Sequence, residues 1–479
     1  MKFFTTTLLI LSISSMCKSQ IINLTVNNGI GSGSYFQGDT IHIWSDINPQ
    51  NEIFTNWSGD VGSIININDW HTTLVVPNND IIINANKSLV VPLLLDSIEV
   101  AGVNNTKTVF YYFDPNPVGT IFFFHGGNGS AQETIHRIES NYFLNEAKYR
   151  NYNIILTNSE DRTLGDPDND GNTRWDLSNW DILDNIDIAN CSLIIDSFIT
   201  SGLLDPESPI NAVGVSNGGN FAHMVSFALN FCTTSIFCAQ GGSSSSLFNI
   251  TNIPTTFNIA ENDQNAGGGN LGANNNYNIL LSRKIPTEIN VLKASPLYPE
   301  RFSRIPGISI SLSNDLFNEF DANGMLDLNN YFLISASNFI NTVSSSAVDF
   351  PIFNSLSMTI KAHIFDQITS VMAEHTMFNN FNNKVFDFLD QQNCSNLTNI
   401  EKTNQHIEIK AFPNPTNGKV TLKSSISNYD VLIYSITGEL IFQSHKSSFD
   451  LSPYHDGMYF IHIQNNNRSH VKKIIKTRN

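Results

Sequence analysis

Basic residues are scarce in this chain: 26 Lys and Arg face 43 Asp and Glu, a formal net charge of −17. A surface of that sign repels nucleic acid phosphates and anionic lipid, so neither is expected as a partner. Charged residues of both signs make up only 14% of the 479 residues, and asparagine takes much of the polar share. Cysteine is sparse as well, with five in all, and no Cys/His spacing fits a zinc site. Beyond the first twenty residues no run is long and apolar enough to cross a bilayer. An apolar content of 41% nevertheless supports packed cores, and the length suits two or three domains rather than one.

The opening stretch MKFFTTTLLILSISSMCKSQ reads as a secretory signal over 1–19. Lys2 gives the positive start, Phe3 to Ile13 the apolar core, and Cys17-Lys18-Ser19 the small-x-small cleavage site. The apolar run is too short for a membrane anchor. Export permits disulfides among Cys191, Cys232, Cys238 and Cys394. Cys232 and Cys238 are close in sequence, but four cysteines allow three pairings and spacing does not choose among them.

Three segments follow. Residues 20–88 hold short alternating strands, such as DTIHIW, TTLVV and DIIINAN, separated by Gly, Asn and Pro turns. They predict a small all-β module with Trp57 in its core. The run GSGSYFQGDTIHI...FTNWSGDV...TTLVVPNNDIIINANK resembles the InlB-type B-repeat of bacterial surface proteins, which implies a spacer or adhesive unit. Residues 397–479 are also β-rich. From Glu401 onward there are ten Lys/Arg against six Asp/Glu, a basic tail on an acidic chain. The pattern from Pro413-Asn414-Pro415 through Gly418, Gly438 and Gly457-Met458-Tyr459 to the Lys-rich last strand resembles the type A sorting domain of the type IX secretion system. That resemblance implies passage through an outer membrane with the secretion machinery as a partner. A carbohydrate-binding β-sandwich is the alternative.

Between them, residues 89–396 alternate strand-like and helix-like runs. TVFYYFD, TIFFFHG, NIILTN, INAVGVS, SIFCAQ, TTFNIA and ITSVMAEH read as strands, and NIDIANCSLIIDSFITSG and NGGNFAHMVSFALNF as helices. The alternation predicts an α/β class domain, a mostly parallel sheet with helices on both faces. Ligands of such sheets bind beyond the carboxyl ends of the strands.

Gly214-Val215-Ser216-Asn217-Gly218 stands at one such end. The G-x-S-x-G spacing lets a serine occupy a strained strand-to-helix turn with its hydroxyl above the sheet. A plain helix N-cap is the alternative reading of Ser216. Three other stretches favour the first. His125-Gly126-Gly127-Asn128-Gly129 closes an apolar strand, and Gly127 or Asn128, with Asn217, could offer N–H donors to an oxyanion. Glu261-Asn262-Asp263 ends another strand, and Asp263, or second Glu261, could hold a histidine. His375 precedes the closing helix and could act as base; His363 is its nearest competitor. Together these features resemble an α/β-hydrolase from about Asp96 to Gln392. PINAVGVSNGGNFAHMVSFAL with IFFFHGGNGSAQE is similar to the polyhydroxybutyrate depolymerase and feruloyl esterase group. That resemblance implies carboxylic ester hydrolysis, with Ser216 as nucleophile, Asp263 as acid and His375 as base, no required cofactor, and an ester substrate that can be polymeric.

The stretch of about 110 residues from Asp263 to His375 departs from the pattern. It predicts a cap over the site at about 264–350, and leaves Asp315, Asp321 and Asp327 as alternative acids. His125, Trp175 and Trp180 are the expected substrate-lining residues, with packing the alternative for the tryptophans. Finally, DPDNDGNTRWD sets Asp166, Asp168, Asp170 and Asp176 around Gly171. The pattern fits either a structural calcium loop or a solvated acidic turn. Two other function classes stay open: a cell-surface binding protein that has lost activity, and a peptidase of the same fold.

Overall fold

A computed structural model of the chain describes residues 20–264, 269–345, 349–392, 394, 410–423, 429–435, 440–465 and 468–477. The expected signal segment lies outside the described residues. The chain divides into two compact units, 1–392 and 393–479.

The centre of the first unit is an eight-stranded sheet. Its strands are β1 (Asp96–Ala101), β2 (Thr106–Tyr112), β3 (Gly119–Phe124), β4 (Tyr152–Thr157), β5 (Ile210–Val215), β6 (Thr233–Phe237), β7 (Thr255–Ala260) and β8 (Thr287–Leu292). They lie in the spatial order 1-2-4-3-5-6-7-8. β2 runs antiparallel to β1 and β4, and every other pair is parallel. This order, with one reversed strand near an edge, is the α/β-hydrolase fold. β3, β4, β6 and β7 are buried along their whole length, as strands covered on both faces must be.

Helices supply that cover. α1 (Ile138–Tyr149) packs on one face. α2 (Ile186–Thr200) and α3 (Asn217–Leu229) pack on the other through Ile188, Ile194, Phe221 and Val225. α4 (Gly269–Ser282) covers β7 and β8. A helical insertion follows β8, with α5 (Ile310–Ala322), α6 (Ala336–Ser345) and α7 (Met358–Val371) around a separate core of Leu316, Phe320, Phe339 and Ile368. α8 (Asn382–Gln391) closes the chain onto the face that α1 covers.

Two details differ from the sequence expectation. The insertion begins after Leu292 rather than at 264, because α4 and β8 belong to the sheet. ITSV is no strand either: it is the last turn of α7, and the eighth strand is TEINVL. In that strand only Asn290 and Leu292 are buried, the weak signature of an edge.

The N-terminal module is two small sheets, one of four strands and one of three. Trp57 is buried in its core and donates Nε1–H to Asp69 O at 2.9 Å. The module is not a detached spacer. Its core is continuous with Tyr142 of α1 and Tyr298 of the insertion, and the Tyr142 hydroxyl accepts the Phe54 N–H at 3.0 Å.

In the second unit, described strands form a three-stranded and a four-stranded sheet around Val420, Leu422, Ile433, Ile461 and Ile474. Cys232 and Cys394 each take part in a disulfide. Cys191 and Cys238 are buried free thiols, so Cys232 does not pair with Cys238.

Candidate active site

β5 ends at Val215, and Ser216 turns the chain directly into α3. Its backbone sits at φ 56° and ψ −125°, a sparsely populated region for a residue with a side chain. The two glycines explain how so sharp a turn fits. A Cβ on Gly214 would lie 2.2 Å from Gly218 O, and a Cβ on Gly218 would lie 2.2 Å from His125 O. Only bare backbone passes at both places, so the hydroxyl is held above the sheet edge.

Two loops converge there. Asp263 follows β7, and His375 lies in the loop between α7 and α8. His375 Nε2 is 2.8 Å from Ser216 Oγ, and its Nδ1 is 2.8 Å from Asp263 Oδ2. The Asp263 side chain is fully buried, whereas that of His375 is 29% exposed. With the carboxylate accepting, Nδ1 carries the proton and Nε2 is left to accept from the serine. The carboxylate that meets His375 is that of Asp263, not Glu261. Glu261 turns away, accepts the Ala294 N–H at 2.6 Å and pairs with Lys293 at 2.9 Å.

The loops that carry these groups are fastened to each other. Asn262 donates its N–H to Ala373 O at 2.9 Å and its Nδ2–H to Met372 O at 2.8 Å. Cys238 Sγ sits 3.2 Å from Thr376 O and joins Asp263 and His375 in one cluster. Burial, reinforced by the Asp263 charge, pushes its thiol far up, so it stays protonated. Sequence reading missed both residues. Asn262 stands inside the quoted Glu261-Asn262-Asp263 turn, and the sequence marks Cys238 only as a disulfide candidate, which it is not.

Donors for an oxyanion are narrower than expected. The Asn128 N–H is already given to Thr173 O at 2.8 Å, so Asn128 is not one of them. The N–H groups of Gly127 and Asn217 have no partner among the described residues. Asn128 instead braces the loop, its Oδ1 accepting the Thr173 N–H at 2.7 Å.

His125 does not line the site. It is 1% exposed, its Nδ1–H donates to Gly126 O at 2.8 Å, and its Nε2 accepts the Ser159 N–H at 3.1 Å. Burial lowers its pKa to about 4, so it stays neutral. Trp175 is buried too. It stacks on Phe221, donates Nε1–H to His125 O and gives its N–H to Asn217 Oδ1 at 2.8 Å. Trp180 packs edge-on against Phe227 of α3. His125 and Trp175 thus brace the turn from behind, while Trp180 is half-buried against α3.

The acidic loop also differs from the reading of four ligands. Asp161, Asp166 and Asp168 gather within 4.8 Å, while Asp170 and Asp176 are spent on the turn N–H groups of Asn172 and Ser178. Of the four residues expected to form one cation cage, only Asp166 and Asp168 fall in a shared cluster, and its third member is Asp161.

One family model matches, that of the secretion system C-terminal sorting domain, over residues 410–477. The C-terminal domain is a secretion sorting domain. It directs the chain through type IX secretion, to the cell surface or beyond it. Comparison with curated proteins gave no match. Among solved structures, the first is the acylaminoacyl peptidase of Pyrococcus horikoshii, at 13% identity and TM-score 0.32, covering 41% of this chain and 36% of that one. A carboxyl esterase of Bacillus coagulans matches at 8% identity and TM-score 0.32, over 42% of this chain and 90% of that one. A serine hydrolase without lid from Xanthomonas campestris matches at 9% identity and TM-score 0.31, over 43% and 86%. This chain thus spans little more than a third of the length of the Pyrococcus enzyme. No helix among the described residues is long and apolar enough to cross a membrane.

Proposed function

We propose that the exported chain is a serine hydrolase that cleaves carboxylic esters. The observation that carries this reading is the unbroken line from Ser216 Oγ through His375 to buried Asp263, with 2.8 Å at each contact. Beside it stand two N–H groups, of Gly127 and Asn217, with no other use among the described residues.

The chemistry follows from the atoms. His375 Nε2 takes the proton as Ser216 Oγ attacks the ester carbonyl, and the resulting imidazolium is stabilised by Asp263. The carbonyl oxygen becomes an oxyanion and accepts from the Gly127 and Asn217 N–H groups, each worth about 10²–10³ in rate. His375 returns the proton to the departing alkoxide, leaving an acyl-serine. A water then attacks the acyl carbon by the same route and frees the acid and Ser216.

The test is Ser216→Ala together with organophosphonate labelling. The variant should lose hydrolysis of p-nitrophenyl esters by about 10⁴-fold or more while melting normally, and label should sit on Ser216 alone. Undiminished turnover in a folded Ser216→Ala protein would defeat the reading. A panel including polyhydroxybutyrate, polyester film and feruloyl sugars then fixes the ester.

A further inference from the structure

Away from the serine, a cleft of about 760 Å³ opens between the N-terminal module and the helical insertion. That volume falls within the usual range for small-molecule sites, about 300–1,000 Å³. Tyr35, Thr40 and His42 come from the module, and Tyr298, Asn330 and Tyr331 from the insertion. None of its fifteen lining residues is Asp, Glu, Lys or Arg. His42 adds no charge near neutral pH, because burial lowers its pKa to about 4. An ionic ligand would find no counter-charge in this lining.

What the cleft offers is rings and neutral polar groups. Half-buried Tyr331 and His42 stand on the buried pair Trp44 and Tyr298, with centroids 6.4, 5.6 and 4.7 Å apart in turn, so the buried rings form the floor that backs the other two. Tyr331 and a separate ring, Tyr35, are fixed by their hydroxyls. Tyr331 Oη lies 3.1 Å from His42 Nε2, and Tyr35 Oη donates to Gly31 O at 2.9 Å. Both rings stay half-buried rather than covered. The side chains of Thr40, Asn329 and Asn330 have no hydrogen-bond partner among the described residues. Preset ring faces beside open amides and a hydroxyl suit a ligand with an apolar flat face and a hydroxylated edge.

We infer that this cleft binds a neutral oligosaccharide, of the β-linked type whose equatorial substituents leave each sugar ring a flat C–H face. The site is separate from the serine chemistry and does not depend on it. Its partner chemistry is a soluble or surface polysaccharide of gluco or xylo configuration.

Calorimetric titration of the whole protein with cellohexaose and xylohexaose tests it. Hexagalacturonate serves as the charged control and maltohexaose as the α-linked one. At least one β-linked neutral hexasaccharide should bind, and both controls should bind about tenfold more weakly or not at all. Tyr331→Ala and Tyr35→Ala, on different elements, should each weaken binding by about tenfold, with melting curves confirming the fold. Tyr331→Phe keeps the ring and should bind within about threefold of the parent. Failure of both β-linked sugars at millimolar concentration would overturn the inference. So would equal binding of hexagalacturonate or maltohexaose, or parent-like binding by both folded alanine variants.

Discussion

His375 Nε2 lies 2.8 Å from Ser216 Oγ across 159 residues of sequence, and Asp263 holds the other ring nitrogen at the same distance. The two carboxylates at the end of β7 therefore have separate duties, and substitution should separate them. Asp263→Asn keeps the size but puts an amide against Nδ1, favouring the wrong tautomer. Its kcat on a p-nitrophenyl ester should fall by about 10⁴ with little change in KM. Glu261→Gln loses a charge paired with exposed Lys293 and should cost less than about 1 kcal/mol of stability, with kcat nearly unchanged. Equal losses in the two variants would mean that the acid has been misassigned.

Much of this site was legible before any coordinates, for a physical reason. G-x-S-x-G encodes a backbone constraint, and the serine and the acid follow successive strands of the sheet. Strand ends place Ser216 and Asp263, because a parallel sheet gathers its carboxyl ends along one edge, whereas His375 is delivered by the loop between α7 and α8. Roles set by side-chain orientation were not legible. His125 and Asn128 sit in the glycine-rich turn that suggested ligand contact, yet tertiary partners absorb their polar atoms. β8 was hidden because an edge strand keeps few buried positions, and ITSV was mistaken for a strand because β-branched residues can also end a buried helix. The docking of the N-terminal module was invisible as well: no local pattern tells that Trp44 and Trp70 face another part of the chain.

The glycine behind the nucleophile gives a sharper test than the nucleophile itself. In Gly218→Ala the new methyl would meet His125 O at 2.2 Å and Phe124 O at 2.4 Å, both backbone atoms that cannot step aside. The turn must open, moving the Asn217 N–H away from the oxyanion position. The variant should melt several degrees lower, lose about 1–3 kcal/mol, and fall by at least about 10² in kcat. A Gly127→Ala variant meets nothing nearer than 3.6 Å and should melt like the parent.

His223 predicts a pH effect of definite sign. It is fully buried on α3, stacked on Phe248 at 4.1 Å, and neither ring nitrogen has a partner among the described residues. Burial pulls its pKa down to about 3, below the unfolded value near 6.5. Between those values the unfolded chain binds the extra proton. The contribution to stability is therefore complete above pH 6.5 and drains away as pH falls toward 3. Asp69, Asp187 and Asp366, raised to about 6 mainly by burial, act in the opposite sense over part of that range. Only a difference between variants isolates the histidine. His223→Phe should be more stable by about 1–2 kcal/mol at pH 7, since it removes unsatisfied buried nitrogens. Its advantage should grow by on the order of 3 kcal/mol by pH 4, read as the gap between the two melting-temperature profiles. A constant gap across that range would show that His223 does not titrate on unfolding.

The N-terminal module should govern the heat tolerance of a reaction it does not perform. Trp70 belongs to the module and is 3% exposed, yet the guanidinium of Arg304 from the insertion lies 4.2 Å above its ring, and that of Arg301 lies 5.5 Å away. Glu139 of α1 is the ion-pair partner of both arginines, at 3.3 Å for Arg304 and 3.5 Å for Arg301. One carboxylate cannot satisfy two buried guanidiniums, so the indole face carries part of the cost of burying them. Trp70→Ala removes that face and leaves a cavity, at about 3–5 kcal/mol. A module acting as a spacer would confine the damage to itself and show its own calorimetric transition. Shared packing requires instead that the module and the hydrolase melt together, and that esterase activity in Trp70→Ala be lost on heating several degrees sooner than in the parent. Unaltered heat inactivation in the variant would mean that the two parts are energetically independent despite their contact.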